Sequence, residues 1–177
     1  TGRNPEHAAV VFTRGILELL NDEELEGVIA HELSHVKNRD VLVASLAAVI
    51  AGSIGLLAHM MLWSSDNRDR NGSIVGVIII SIAIPIIATL IQLAISRSRE
   101  FLADESAAHT LHSGSGLASA LGKLEKGIHA VPFSSANSGT AHLFIANPFG
   151  QVGIISLFAT HPPISVRIER LKKMHAH

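Results

Sequence analysis

His31-Glu32-Leu33-Ser34-His35 is the shortest stretch of this sequence whose residue types and spacing together indicate a reaction. Because residues four apart lie on one face of an α-helix, His31 and His35 can present two imidazole nitrogens to one metal ion. Glu32 lies next to His31 and can reach a water molecule at that metal. The pattern therefore predicts a zinc peptidase site in which Glu32 is the catalytic base.

The residues around this motif predict the helix that carries it. Asn21 is a favourable N-cap, and Glu24, three residues later, completes a capping box. We expect the helix to continue to about residue 38 or 40. Helical angles place the two histidines on a ligand face and leave an apolar stripe elsewhere, which we expect to face the core. That stripe consists of Leu25, Ile29, Leu33 and Val36.

The segment before this helix has the composition of a short strand. His7 to Thr13 is rich in β-branched and small apolar residues and is followed by an apolar pattern typical of a short helix over residues 15–20. A strand at the edge nearest the metal could pair with an extended substrate backbone, so His7 to Thr13 is a candidate substrate-binding segment. Because the chain begins at Thr1 without a signal-peptide pattern, we expect an N-terminally trimmed fragment.

The composition differs from that of an ordinary soluble domain. Of the 177 residues, 47% are hydrophobic and only 16% are charged, and the mean hydropathy is +0.36. We therefore expect part of the chain to lie in lipid. The net charge of −1, without long runs of either sign, argues against a nucleic-acid partner. The chain has no cysteine, so its metal ligands must be histidines and carboxylates.

Two uncharged segments, residues 41–63 and 74–95, are candidates for transmembrane helices. Each would be about 33 Å long as a helix, which is enough to cross a hydrocarbon core of about 30 Å. The alternative is a pair of wholly buried helices in a soluble protein. Basic residues are more frequent at the outer ends of the two segments than in the linker between them, which favours a cytoplasmic catalytic side.

A hairpin of two spans returns the chain to the side that it left, so the residues after 95 should emerge beside the motif helix. Glu100 and Asp104 lie there, one helical turn apart. We predict that Glu100 is the third zinc ligand and that Asp104 accepts the free ring N–H of a ligand histidine. His109 and His112 are rivals for the ligand role by residue type, but they lie more than two turns beyond Glu100.

The remaining segments predict two more helices and a candidate strand at residues 142–146. One helix covers residues 117–128 and the other follows Pro163, with Arg167 among the side chains expected to face water. The whole chain thus predicts an α+β fold, a mostly helical zincin-like peptidase domain with a small sheet, interrupted by a transmembrane hairpin. The divisions are the N-terminal peptidase part (1–40), the first span (41–63), the linker (64–73), the second span (74–95) and the C-terminal peptidase part (96–177).

Three stretches of this sequence, Asn21–Asp40, Ser96–Asp104 and Leu157–Pro163, resemble in the same order the HtpX family of bacterial membrane-bound zinc endopeptidases. The resemblance covers nearly the whole chain and implies one zinc ion per chain, with Glu100 as a ligand and Glu32 as the base. It implies a multi-pass protein of the bacterial inner membrane, with its catalytic side cytoplasmic, that cleaves misfolded or damaged membrane proteins. It also implies that further hydrophobic segments precede Thr1.

The resemblance further implies that His161 and Arg167 approach the active site, where a cationic donor could stabilise the oxyanion of a tetrahedral intermediate. The alternative for His161 is a structural position before the helix that follows Pro163. Two other functions are compatible with the motifs. One is a prenyl-protein processing zinc peptidase. The other is a non-catalytic membrane scaffold with a structural zinc, which would need a fourth protein ligand and would leave Glu32 without a role.

Overall fold

The computed structural model describes residues 4–64, 70–130 and 162–174, with side-chain environments for all of these except 61–80 and 127–130. In these ranges, a short 3₁₀ helix at Pro5–His7 precedes six α-helices. These are α1 (Arg14–Leu19), α2 (Asp22–Lys37), α3 (Asp40–Ser64), α4 (Arg70–Leu111), α5 (Ser115–Ala130) and α6 (Ile164–Lys173).

The predicted α+β class, with its small sheet, is wrong, because every regular element in the described part of the chain is helical. The expected strand at His7 to Thr13 does not form. Asn4 caps the 3₁₀ helix by accepting a hydrogen bond from the His7 backbone N–H at 3.1 Å. Residues 8–13 then follow without a partner strand among the described residues, and Val11 is 87% exposed. The candidate strand at 142–146 lies outside the described residues.

The start of α2 is confirmed in detail. The Asn21 side chain accepts a hydrogen bond from the Glu24 backbone N–H, and the Glu24 carboxylate accepts one from the Asn21 backbone N–H, both at 2.9 Å. The two bonds satisfy donors that a helix N-terminus otherwise leaves unpaired. Glu24 also joins α2 to α5, since it accepts hydrogen bonds from Ser119 at 2.7 Å and Lys123 at 2.6 Å.

Small residues allow α2 to lie unusually close to the start of α5. A Cβ atom on Gly27 would lie 2.6 Å from the backbone nitrogen of Leu117, and one on Gly116 would lie 2.5 Å from the carbonyl oxygen of Glu23. The core around this contact is correspondingly rich in alanine and leucine. Its buried members are Leu20, Val28, Ala30, Ala107, Ala108, Leu117, Ala118, Ala120, Leu121 and Leu171.

The most deeply buried face of α2 is the ligand face rather than the predicted core stripe, of which Leu25 packs partly buried against the core. Leu33 is 52% exposed, whereas Val28, His31 and Ser34 are buried. The reason is that α4 and α5 pack against the side of α2 that carries the histidines. Periodicity located two faces of the helix correctly but assigned the core to the wrong one, because the residues on the buried face are small or polar rather than large and apolar.

Helices α3 and α4 contain the two apolar segments predicted from the sequence. Two stretches, Asp40–Met60 and Ser81–Leu111, are long and apolar enough to cross a membrane, and 0% and 6% of their most apolar windows are buried within the protein. Within the described part of the chain, the alternative of two wholly buried helices therefore does not hold. Pro85 lies inside α4, and the Thr89 hydroxyl donates to the Pro85 carbonyl at 2.8 Å.

Two backbone features connect this hairpin to the rest of the protein. Arg39 has a φ of 53°, and this left-handed residue lets α3 begin at Asp40, directly after α2 ends. Helix α4 is 42 residues long and runs without interruption from the apolar segment to Leu111. The second apolar segment therefore continues as the same helix to Glu100 and Asp104, which lie beside α2.

Candidate metal centre

Three side chains from two helices converge on one point. His31 and His35 come from α2, and Glu100 comes from α4. One ligand atom from each lies within 4.8 Å of the others. The His31 Nε2 and His35 Nε2 atoms are 3.1 Å apart, and each lies 3.7 Å from a Glu100 carboxylate oxygen. Tetrahedral zinc with bonds of about 2.0–2.1 Å separates its ligand atoms by about 3.3 Å, so the spacing fits that ion.

Hydrogen bonds on the far side of each imidazole ring strengthen this fit. The His31 Nδ1 atom lies 3.0 Å from an Asp104 carboxylate oxygen, and the His35 Nδ1 atom lies 2.6 Å from one of Asp40. A carboxylate accepts a hydrogen bond from Nδ1–H, and this tautomer places the lone pair of each ring on Nε2. Two lone pairs and a carboxylate then face one another, an arrangement that a cation stabilises.

A buried arginine on α6 lies behind these ligands. Arg167 is 0% exposed, and its Nε and Nη2 atoms donate to the two oxygens of Asp104 at 2.8 and 2.7 Å. Its Nη1 atom lies 3.1 Å from a Glu100 oxygen. Burial alone would lower the pKa of Arg167, but its hydrogen bond to Asp104 and the charges of Asp104, Glu100 and Glu32 raise that pKa above its ordinary value.

The expectation that Arg167 faces water is therefore wrong. It shares one face of α6 with Leu171, which is also fully buried, and that face packs against α5. A cation can occupy this position because Asp104 and Glu100 reach it from α4 and compensate its charge. The exposed neighbour Arg170 stacks over the Phe101 ring at 4.2 Å and holds α6 against α4 from outside.

The other predicted site residues lie in different environments. Glu32 is half-buried beside His31, and its charge contributes to the raised pKa of Arg167, which places it near the cluster. His161 lies outside the described residues. His109 and His112 are exposed and are not part of the converging group.

Sequence reasoning missed one residue of this site. Asp40 was treated only as the possible end of the motif helix, but its carboxylate contacts the ring of His35. Its place five residues after His35 is the only indication of this contact that the sequence offers. The contact itself depends on the left-handed turn at Arg39, which an arginine in the sequence does not indicate.

Comparison with known proteins gives a consistent result. The model of the family described as Peptidase family M48 matches residues 1–175. Proteins named Protease HtpX homolog are similar over 97–98% of this chain, at 53% identity in Pyrococcus furiosus, 52% in Thermococcus kodakarensis and 52% in Aquifex aeolicus. No solved structure matches the chain.

The chain is shorter than these relatives and spans only 60–62% of their length. Within that part, the alignments cover 97–98% of this chain, and 52–53% of the aligned residues are identical. The resemblance to the HtpX family seen in the three sequence motifs is therefore confirmed. With a family match from residue 1 to residue 175, the chain belongs to peptidase family M48.

Proposed function

We propose that His31, His35 and Glu100 bind one zinc ion and that this chain is the catalytic part of a zinc-dependent endopeptidase. The observation that carries this proposal is the convergence of the three ligand atoms within 4.8 Å. Three protein ligands are the number that catalytic zinc sites use, because the fourth position is left for water or substrate. A structural zinc would need a fourth protein ligand, and the described residues supply three, which favours catalysis over the scaffold alternative.

The side chains around the group have separate roles in the proposed reaction. When bound, zinc supplies Lewis acidity that lowers the pKa of water and polarises a peptide carbonyl. Glu32, next to His31 on α2, takes a proton from the attacking water and passes it to the leaving amine. Asp104 and Asp40 hold the Nδ1 protons of the two histidines, so that both rings direct Nε2 to the ligand position.

Arg167 acts mainly on the other side chains in this proposal. Its Nε and Nη2 atoms are already used by Asp104, and Nη1 faces Glu100. The buried cation therefore compensates the negative charges of Asp104 and Glu100 and fixes the orientation of both side chains. We assign the predicted contact with the oxyanion to His161, which lies three residues before the start of α6 in the sequence.

The hairpin supports a membrane location and a class of substrates. We propose that α3 and α4 span the bacterial inner membrane and that the catalytic side is cytoplasmic. On α4, the apolar segment ends at about residue 95, and Glu100 follows within about 8 Å along the helix axis. A site so close to the end of a span suits polypeptides at the membrane surface. We therefore propose misfolded or damaged membrane proteins as substrates.

The proposal can be tested with the purified chain in detergent micelles, loaded with zinc and incubated with an unfolded protein substrate. We expect Glu32→Gln to bind one zinc ion like the wild type and to cleave at least 100-fold more slowly, because it lacks the general base. The matched control is Glu26→Gln, an exposed carboxylate on the same helix that lies outside the site.

Each outcome of this experiment decides a different part of the proposal. Equal cleavage by wild type and Glu32→Gln would contradict the assigned base. Full zinc affinity in Glu100→Ala would contradict the assigned third ligand. Cleavage that does not depend on zinc in the wild type would contradict the reaction class.

A further inference from the structure

A network of side chains outside the three proposed ligands joins the two apolar helices to the metal centre. Asp40 is the first residue of α3, and Arg99 lies on α4 directly before Glu100. The Asp40 carboxylate contacts His35 through one oxygen and Arg99 through the other. Arg99 Nη2 also donates to the Asn38 carbonyl at 2.9 Å, at the end of α2. The three helices α2, α3 and α4 therefore meet at Asp40.

We infer that Asp40, held in place by Arg99, is a positioning residue that fixes the Nδ1–H tautomer of His35 and directs its Nε2 to the metal. This inference rests on the proposed zinc site and adds residues to it. The distance of 2.6 Å between His35 Nδ1 and Asp40 Oδ2 is that of a strong, charge-assisted hydrogen bond. A carboxylate can only accept in this contact, so the ring proton lies on Nδ1.

The two ligand histidines are supported in different ways. The partner of His31 is Asp104, which is buried and bound by Arg167 through two hydrogen bonds. The partner of His35 is Asp40, which is only partly buried and is bound by Arg99 from the opposite helix of the hairpin. Each ring thus has its own pair of carboxylate and arginine, and the second pair depends on how α3 and α4 pack.

The position of Asp40 results from the local backbone. His35 and Asp40 are five residues apart, further than the one-turn spacing that brings side chains together on a helix. The left-handed conformation of Arg39 ends α2 and turns the chain, so that the first residue of α3 lies beside the last turn of α2. A non-glycine residue in this conformation is uncommon, and here it places a carboxylate on a ligand ring.

Two measurements test this inference, and one of them does not need the metal. In metal-free protein labelled with ¹⁵N-histidine, nuclear magnetic resonance reports which ring nitrogen of His35 carries the proton. We expect the Nδ1–H tautomer in the wild type and a shift toward Nε2–H in Asp40→Ala. Predominant Nε2–H in the wild type would overturn the inference, even if every Asp40 variant failed to fold.

The second measurement is zinc affinity, obtained by competition with a chromophoric chelator. We expect Asp40→Ala to bind zinc about 10- to 100-fold more weakly, which is the usual effect of removing such a partner. Arg99→Gln should weaken binding by a smaller factor, because Asp40 remains but is less firmly held. The matched control is Asp22→Ala, which removes an exposed aspartate at the first position of α2 and should change zinc affinity less than about twofold.

The outcomes separate this inference from the proposed function. If the wild type binds no zinc but His35 shows the Nδ1–H tautomer that Asp40→Ala loses, the proposed function fails and the control of the His35 tautomer by Asp40 stands. If the wild type binds zinc and Asp40→Ala binds it equally well with the same tautomer, the positioning role fails and the proposed function stands. Circular dichroism of each variant shows whether its helices are intact.

Discussion

The helices around the metal centre and the α3–α4 hairpin use similar apolar residues but bury them to different extents. In the first region, small residues bring α2, α5 and the end of α4 close together, and leucines such as Leu121 are fully buried. In the hairpin, Leu46, Val49 and Ile50 are more than half exposed. Apolar side chains without a protein partner need another apolar environment, so this difference identifies the region that is suited to lipid.

The largest expected effect tests the lipid environment of the hairpin. Ile50 and Leu33 are both 52% exposed, but Ile50 lies near the middle of α3 and Leu33 lies on α2. We expect Ile50→Arg to disfavour membrane insertion by about 2.5–3.5 kcal/mol, because an arginine would lie near the bilayer centre. For the measurement, a glycosylation site is added to the linker (64–73) and the protein is inserted into microsomal membranes. The fraction of protein that becomes glycosylated reports insertion.

Leu33→Arg is the control for this prediction and should leave the glycosylated fraction unchanged. If both substitutions lowered the fraction equally, or if neither did, the two regions would not differ in environment and the comparison would fail.

A smaller effect is expected from one added methyl group in each region. Gly27→Ala would place a Cβ atom 2.6 Å from the Leu117 backbone, so α2 and α5 would have to move apart. We expect a loss of about 1–3 kcal/mol in unfolding free energy, measured by denaturant titration in micelles. In Gly52→Ala, nothing lies within 4 Å of the added atom, and the better helix propensity of alanine should stabilise α3 by up to about 1 kcal/mol.

These two glycines sharpen the comparison because they are both helical and differ in their neighbours. If Gly27→Ala and Gly52→Ala changed the unfolding free energy equally, the close contact between α2 and α5 would not make the added methyl group more destabilising. A loss in Gly52→Ala would mean that α3 has a neighbour at this position that the described residues do not include.

The smallest expected effect concerns the polar contact between α2 and α5. Burial of Glu24 acts to raise its pKa, but hydrogen bonds from Lys123, Ser119 and the Asn21 backbone lower it below the ordinary value of 4.5. The ionised carboxylate therefore stabilises the folded state fully above the unfolded-state pKa, and this contribution is lost as the pH falls through the folded-state pKa. At neutral pH, we expect Glu24→Gln to lower the unfolding free energy by about 1 kcal/mol.

The pH dependence distinguishes this contact from a surface ion pair. The stabilities of wild type and Glu24→Gln should converge as the pH is lowered below the ordinary pKa of Glu24, when followed by denaturant titration at each pH. Glu169→Gln is the control, because the Glu169 side chain is exposed and its pairing with Lys173 is screened by solvent. A constant difference between wild type and Glu24→Gln at all pH values would contradict the role of the charge.

The sequence predicted the features that depend on local spacing. The capping box of Asn21 and Glu24, the two apolar segments and the approach of Glu100 to His31 and His35 all follow from periodicity and from the return of the hairpin. It did not predict the features that depend on contacts between helices. Arg167 is buried because Asp104 and Glu100 compensate its charge from α4, and no pattern within α6 contains that information.

The remaining differences also have physical causes. The segment His7 to Thr13 has strand-like composition, but strand propensity is expressed only beside a neighbouring strand, and no strand forms among the described residues. Leu33 belongs to an apolar stripe, yet the opposite face of α2 is buried because glycine and alanine allow closer packing there. Asp40 reaches His35 through a backbone conformation that an arginine rarely adopts.

The uninterrupted course of α4 has a mechanical consequence. Pro85 is a position at which a helix can bend, and Glu100 lies about 22 Å further along the axis of α4. A change of about 5° at Pro85 would displace Glu100 by about 2 Å, roughly ten times the deviation of about 0.2 Å that a metal site tolerates. The ion pair between Arg99 and Asp40 lies one residue before Glu100. It therefore restrains α4 at the position where such a displacement would most affect the ligand.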